Sequence, residues 1–304
     1  MQRIVLHEVG MRDGLQMESA TVPLETKVQW LESLAGTGLD VIQVGSFVHP
    51  TRVPQMADTD RLFSALAGRV PQGVTLSALV LNEKGLERGF ACGVQMVCMG
   101  VSASETHSMK NTGMNIAEAT TRIIAMAKTA TDSGAKVQVS VQSAFGCGYE
   151  GPVPQERVLG IVRRYVDAGL RNISLADTAG HATPDQVERL YGSLHAIDDG
   201  LELACHFHNT YGMAIANCYA AMKAGVQSFE SSVAGLGGCP FTKIAGGNVS
   251  TEDLVHMLHR MGLRMEVSLD PLIGVARQIA EFFAREMPGT IYRTGPIASL
   301  PLHA

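Results

Sequence analysis

The chain has 304 residues, of which 46% are hydrophobic and 17% charged, and it contains 32 glycines. This length allows two ordinary domains, or one α/β barrel followed by a tail. The formal net charge of −5 argues against nucleic acid or an anionic membrane as a partner, and no apolar run reaches the roughly 18 residues that a membrane span needs.

Short β-rich runs alternate with longer amphipathic segments along the chain. The predicted strands, in chain order, are Ile4–Glu8, Val41–Gly45, Val74–Val80, Gln95–Gly100, Lys136–Gln142, Asn172–Leu175, Leu203–His208 and Ser228–Ser232. Helical periodicity is found between them in Leu24–Gly36, Ala117–Ser133, Gln155–Ala168, Pro184–Ala196 and Met213–Ala224. Eight strands, each followed by a helix-like segment, favour a closed (β/α)8 TIM barrel over an open doubly wound sheet.

The pattern changes after the eighth unit. Asp270–Arg285 is predicted to form one additional helix, and Glu286–Ala304 is a tail that contains proline and glycine. We find no internal repeat and no linker, so we predict a single α/β domain, with a catalytic barrel at 1–265 and a helical extension and tail at 266–304. The six cysteines form no C-x-x-C pair and follow no secretory start, which indicates reduced thiols and a cytoplasmic protein.

The sequence His206-Phe207-His208 ends the seventh predicted strand. Side chains alternate faces along a strand, so His206 and His208 point to the same side. Two neutral imidazoles placed in this way can bind a divalent metal when oxygen donors come from elsewhere in the chain. The alternative is a pair of hydrogen-bonded surface histidines.

Other reactive side chains follow the predicted strands. In an α/β barrel such groups collect at the carboxyl ends of the strands, around one mouth. Together they supply carboxylates, imidazoles, an amide, a guanidinium and a thiol. These residues are Arg12, Asp13, Gln43, Ser46, Asp177, Thr178, His206, His208, Cys239 and Asn248.

With these residues the chain resembles the 3-hydroxy-3-methylglutaryl-CoA lyase family, which is part of a metal-dependent superfamily of TIM-barrel lyases and Claisen-type condensing enzymes. The likeness extends over roughly residues 3–265, and the Gly-Leu-Gly-Gly-Cys-Pro loop is particular to the lyases. The matching motifs are Glu8–Gln16, Ser46–Val48 with Val53–Met56, Asp177–Gly180 with Thr183-Pro184, His206–Gly212, Ser231–Pro240, Gly247-Asn248 and Thr251–Leu254.

The resemblance implies a set of metal ligands. Asp13, His206, His208 and Asn248 would bind a divalent cation, with water or substrate oxygens completing the shell. Oxygen-rich ligation with two imidazoles suits Mg²⁺ or Mn²⁺, and ligand type alone leaves zinc open. The metal would chelate the tertiary hydroxyl and an adjacent carboxylate of an acyl-CoA thioester as Lewis acid and template.

The resemblance also implies catalytic roles in a retro-Claisen cleavage to a keto acid and an acyl-CoA enolate. Arg12 would stabilise charge on the thioester oxygen, and His206 would take part through the metal. Cys239 would serve as acid and base, against the alternative of an inert thiol in a turn. Asp177 would orient a ligand or water, or merely cap a turn. Ser46 would contact the substrate carboxylate, or satisfy a loop amide.

Two positions depart from the family pattern. The family has a glutamate where this chain has Gln43, a candidate substrate contact, and an aspartate where it has Asn209. An amide carries no charge and takes no proton, so the departures leave the acyl group open. We expect 3-hydroxy-3-methylglutaryl-CoA to be cleaved to acetyl-CoA and acetoacetate. The alternatives are another branched hydroxyacyl-CoA such as citramalyl-CoA, condensation of an acyl-CoA with a 2-keto acid, and a non-catalytic barrel that binds acyl-CoA. A homodimer is among the oligomeric states left open.

Overall fold

The computed structural model describes residues 3–238 and 247–297. Within them, parallel strands close into one barrel in chain order, and the last strand pairs with the first. The strands are β1 (Val5–Glu8), β2 (Val41–Ser46), β3 (Thr75–Leu79), β4 (Met96–Ser102), β5 (Lys136–Gln142), β6 (Asn172–Asp177), β7 (Glu202–Phe207) and β8 (Ser228–Ser231). Each overlaps a predicted strand, so the TIM barrel expected from the sequence is confirmed.

Helices surround the barrel on its outer side. They are α1 (Leu24–Ala35), α2 (Thr59–Leu66), α3 (Glu83–Ala91), α4 (Glu105–Thr112), α5 (Ile116–Asp132), α6 (Gln155–Asp167), α7 (Pro184–His195), α8 (Ala214–Lys223), α9 (Thr251–Arg260), α10 (Leu269–Phe282) and α11 (Ile291–Thr294). The predicted helices agree with α1, α5, α6, α7, α8 and α10. The sequence analysis did not identify α2, α3, α4 or α11.

The two faces of the strands differ in polarity. Leu6, Ile42 and Phe229 are fully or almost fully buried between the barrel and its helices. The alternate positions point into the barrel, and many of them are polar. Inward-facing buried polar residues include His7, Gln43, Ser77, Gln138, Ser174, His206 and Glu230. The barrel interior therefore combines these polar side chains with a small apolar cluster of Val5, Val41, Met96 and Cys98.

The additional helix predicted after the barrel is α10. It packs against α1, where the rings of Trp30 and Phe282 meet edge to face with their centroids 5.6 Å apart. Leu272 and Ile279 are completely buried in this contact region. The domain boundary near residue 265 stays a prediction. Within the described ranges, no helix combines the length and the apolar character that crossing a membrane requires.

Candidate active site

A tight turn after β1 carries two of the predicted site residues. Gly10–Gly14 forms a single π-helical turn, in which the backbone amides of Arg12 and Asp13 both donate to the carbonyl of Val9. A Cβ atom on Gly10 would lie 2.5 Å from a carboxylate oxygen of Glu8, and one on Gly14 would lie 2.7 Å from the Cβ of Leu236. The glycines are therefore needed for the close packing that places Arg12 and Asp13 at the mouth of the barrel.

Asp13, His206 and His208 converge at this mouth. The Oδ2 atom of Asp13 lies 3.8 Å from the Nε2 atom of each histidine. The two Nε2 atoms are 3.1 Å apart. Two ring nitrogens at this distance need a proton or a cation between them, because two lone pairs repel. All three side chains are buried, so the surface-histidine alternative is wrong.

Asn248 joins this group from the segment after β8. Its Nδ2 atom donates to Asp13 Oδ2 over 2.8 Å and to the carbonyl of Leu236 over 3.0 Å. Its buried Oδ1 atom has no hydrogen-bond partner among the described residues. An orphaned buried amide oxygen costs free energy, so a cation bound at this site would stabilise it.

Glu230 on β8 is a site residue that the sequence analysis missed. Its Oε2 atom lies 3.0 Å from Nδ1 of His206, and its Oε1 atom accepts a 2.7 Å hydrogen bond from Ser174. A carboxylate accepts, so Nδ1 of His206 carries a proton, and Nε2 is the ring nitrogen on the side of Asp13 and His208. A buried glutamate in the middle of a short strand was the available signal, because it requires a partner inside the barrel.

The charges of the site are set by burial and by neighbouring ions. Burial alone would raise the pKa of Asp13, but Arg12 and the histidines hold that pKa well below its usual range. Burial would likewise lower the pKa of His206, but the hydrogen bond to Glu230 raises it. Burial and the neighbouring His206 lower the pKa of His208 to about 4, so its imidazole is neutral at pH 7.

Arg12 is held in a fixed orientation from two sides. Its Nη1 atom donates to Asp13 Oδ1 over 2.5 Å, and its Nε atom donates to Oε1 of Gln43. Gln43 therefore provides the acceptor that a glutamate would provide, without the charge. Arg12, Gln43 and the two histidines line a cavity of about 340 Å³ that opens at the mouth of the barrel.

The remaining predicted residues lie in different surroundings. Asp177, at the end of β6, accepts hydrogen bonds from the backbone amides of His181 and Ala182, which are the contacts of the turn-capping alternative. Ser46 is buried at the end of β2 and is not among the residues that line the mouth cavity. Cys239 lies outside the described residues.

The donor set fits a divalent cation. One carboxylate oxygen and two imidazole nitrogens lie within 4.8 Å of one another, all of them buried. His206 presents its Nε2 atom on the side of Asp13, and His208 is neutral. Asn248 offers a further oxygen. This mixed set of nitrogen and oxygen donors suits Mn²⁺ or Mg²⁺. A structural zinc site would instead have a shell rich in thiolates.

The sequence of this chain is similar to those of lyases that act on acyl-CoA thioesters, as its motifs indicate. The chain is 40% identical over 280 residues to a hydroxymethylglutaryl-CoA lyase from Pseudomonas mevalonii, covering 92% of both chains. It is 33% identical over 305 residues to an (R)-citramalyl-CoA lyase from Chloroflexus aurantiacus, covering 98% of this chain and 96% of that one.

A solved structure and a family model support the same family. The structure of an HMG-CoA lyase from Acinetobacter baumannii, determined in complex with coenzyme A and 3-methylmalate, superposes with a TM-score of 0.91. It is 32% identical and covers 98% of this chain and 97% of its own. The model of the HMGL-like family matches residues 3–279. The chain belongs to the HMGL-like family.

Proposed function

We propose that the protein is a divalent-metal-dependent carbon–carbon lyase that cleaves 3-hydroxy-3-methylglutaryl-CoA to acetyl-CoA and acetoacetate. The observation that carries the proposal is the convergence of Asp13, His206 and His208 beside the fixed guanidinium of Arg12, in one cavity of an HMGL-like barrel. We further propose that the metal is Mg²⁺ or Mn²⁺ and that the protein acts in the cytoplasm.

The reaction breaks the bond between the carbinol carbon and the α-carbon of the thioester arm. The hydroxyl gives its proton to the thiolate of Cys239, its oxygen becomes the ketone of acetoacetate, and the bonding electrons pass to the α-carbon as a thioester enolate. A cation held by Asp13, His206, His208 and Asn248 would supply Lewis acidity toward the hydroxyl and the carboxylate of the substrate.

The residues of the chain itself have separate tasks in this proposal. Arg12 stabilises the enolate oxygen, because Asp13 and Gln43 hold its guanidinium at the cavity wall and a fixed cation needs no reorganisation as charge develops. Glu230 keeps the proton of His206 on Nδ1. Cys239 donates the proton that converts the enolate to acetyl-CoA. Asp177 holds the loop after β6.

The test is an assay of the purified protein with 3-hydroxy-3-methylglutaryl-CoA and Mg²⁺ or Mn²⁺, with and without a chelator. We expect acetyl-CoA release that the chelator abolishes. Absence of acetyl-CoA in the metal-loaded sample would refute this substrate. A Cys239→Ala variant that releases acetyl-CoA as fast as the wild type would refute the role of the thiol.

A second candidate reaction is the cleavage of citramalyl-CoA to acetyl-CoA and pyruvate. It is favoured by the relative named (R)-citramalyl-CoA lyase and by the uncharged Gln43 beside Arg12. Assaying both thioesters under the same conditions separates the two reactions by their keto acid products. Adding pyruvate or acetoacetate with acetyl-CoA tests condensation, and turnover of any of these excludes a barrel that only binds acyl-CoA.

A further inference from the structure

The chain that follows α10 folds back onto the barrel. Residues 287–294, here called the C-terminal strap, include α11 and lie against Val233–Gly235, the turn that follows β8. Met287 and Tyr292 are only 2% and 6% exposed, and the hydroxyl of Tyr292 accepts a 2.8 Å hydrogen bond from the amide of Met287. The strap is therefore a packed part of the domain, although the sequence analysis assigned it no role.

Asp253, in the first turn of α9, holds the strap in place. Its Oδ1 atom accepts hydrogen bonds from the backbone amide of Thr290 over 3.0 Å and from that of Ile291 over 2.7 Å. Its Oδ2 atom lies 3.0 Å from the same amide of Thr290. Hydrogen bonds to a charged acceptor are stronger than neutral ones, so one carboxylate fixes two successive backbone donors at the start of α11.

The strap reaches the turn after β8 through Gly289. The amide of Gly289 donates to the carbonyl of Ala234 over 3.0 Å, and the amide of Ala234 donates to Oε2 of Glu252 over 3.0 Å. The φ angle of Ala234 is +61°, in the left-handed region that costs free energy for a residue with a side chain. Such a conformation persists only where neighbouring groups hold it, and here the strap and Glu252 bind both backbone polar groups of Ala234.

The same turn leads directly to a contact with Asn248. The carbonyl of Leu236, the next residue, accepts hydrogen bonds from Nδ2 of Asn248 over 3.0 Å and from its backbone amide over 3.4 Å. Nδ2 also donates to Oδ2 of Asp13 over 2.8 Å. The orientation of the Asn248 amide, and with it the position of the Oδ1 atom offered to a cation, therefore depends on where the turn places the carbonyl of Leu236.

We propose that the C-terminal strap positions Asn248 for the cation, with Asp253 and Gly289 as the positioning residues that act through the turn after β8. The proposal rests on the cation site of the function proposed above and gives the C-terminal extension a task in metal binding. Among the described residues that line the mouth cavity, none belongs to the strap. Its effect on the cation must therefore pass through the turn and the carbonyl of Leu236.

The test measures the Kd for Mn²⁺ by titration calorimetry on the full chain, at a temperature well below the Tm of every variant. Asp253→Ala removes the acceptor of both strap amides, so we expect its Kd to rise about tenfold. Asp253→Asn keeps an Oδ1 acceptor and should stay within about threefold of the wild type. Asp270→Ala, at an exposed acid in the first turn of α10, is the matched control and should leave the Kd unchanged.

A second variant perturbs the other end of the strap contact. A Cβ atom on Gly289 would lie 2.5 Å from Oε1 of Glu252 and 3.0 Å from Oγ of Ser250, so Gly289→Ala must shift the strap away from Ala234. We expect it also to raise the Kd for Mn²⁺ about tenfold. Gly274→Ala is its matched control, because open space surrounds that glycine on α10. Gly289→Ala also keeps the proposal testable if Asp253→Ala does not fold.

The outcomes separate a positioning role from a purely structural one. A strap that only stabilises the fold would lower Tm in Asp253→Ala and Gly289→Ala and leave their Kd for Mn²⁺ unchanged, which overturns the proposal. Equal losses in Asp253→Asn and Asp253→Ala, weaker binding in either control, or failure of both strap variants to fold overturn it as well.

The wild type distinguishes this inference from the lyase function. A wild type that binds no Mn²⁺ overturns the cation site and the role of the strap together. Cleavage of 3-hydroxy-3-methylglutaryl-CoA is scored in a separate assay and decides the proposed reaction alone.

Discussion

Glu230 and His206 are partners across neighbouring strands, with Oε2 of the glutamate 3.0 Å from Nδ1 of the histidine. Removing the charge of Glu230 should leave the imidazole less basic and less firmly oriented. We expect Glu230→Gln to weaken Mn²⁺ binding by about 10- to 100-fold, measured by titration calorimetry. Glu266→Gln, at a side chain that is 66% exposed, is the control. Unchanged affinity in Glu230→Gln would contradict the role given to this pair.

Adding metal should stabilise the fold through Asp13 and the two histidines. At a Mn²⁺ concentration about 100 times the Kd, the stabilisation is about 2.7 kcal/mol, which raises Tm by several degrees. In Asp13→Asn the shift should disappear. Comparing each protein with and without metal cancels the effect of losing the Arg12 ion pair. A shift of equal size in Asp13→Asn would show that Mn²⁺ binds elsewhere.

Gln43 should matter as an acceptor for Arg12. Gln43→Leu removes the contact to Nε and allows the guanidinium to shift, so we expect kcat/KM for the proposed thioester to fall by about 100-fold. Gln43→Glu keeps an acceptor at the same place and should retain activity within about threefold. Both values come from initial rates of acetyl-CoA release. An active leucine variant would show that Arg12 needs no support from β2.

Gly237 should be required beside Asn248. Its φ is +125°, and an added Cβ would lie 2.6 Å from Nδ2 of Asn248. We expect Gly237→Ala to lower Tm and to weaken Mn²⁺ binding, because Asn248 must move. Gly113→Ala is the matched control, since its φ is +73° but open space surrounds it. It should lose stability by about 1 kcal/mol and keep its metal affinity.

Glu252 should make stability depend on pH. Burial raises the pKa of this carboxyl group from 4.5 to about 8, against the hydrogen bond donated by the amide of Ala234. The folded state then holds a proton that the unfolded state releases, so stability falls as pH rises from about 4.5 to 8. Glu252→Gln should lack this component. Its Tm relative to the wild type should therefore increase over that window, and parallel pH profiles would contradict the assignment.

The barrel could be predicted from the sequence because it follows from local patterns. Of the proposed metal ligands, His206 and His208 were indicated by their spacing on one strand, whereas Asp13 and Asn248 were assigned through the family resemblance. Strand runs alternate with helical periodicity, and the strand ends carry Asp13, His206 and His208. Short polar helices give weaker signals. The helix α4 has only Ser108 buried, so no apolar stripe marks it.

The polar layer inside the barrel was harder to predict. Glu230 was missed because its pairing with His206 depends on the register between β7 and β8, which places the two residues opposite each other. The contact between Arg12 and Gln43 similarly joins the first loop to the second strand. Such contacts arise only when the barrel closes, and no spacing along the chain encodes them.

Asp13 and Asn248 are 235 residues apart, and their hydrogen bond crosses the seam where β1 meets β8. The proposed cation site therefore takes residues from both ends of the barrel and is complete only when β8 pairs with β1. A nascent polypeptide would acquire the full proposed ligand set only after residue 248 has left the ribosome.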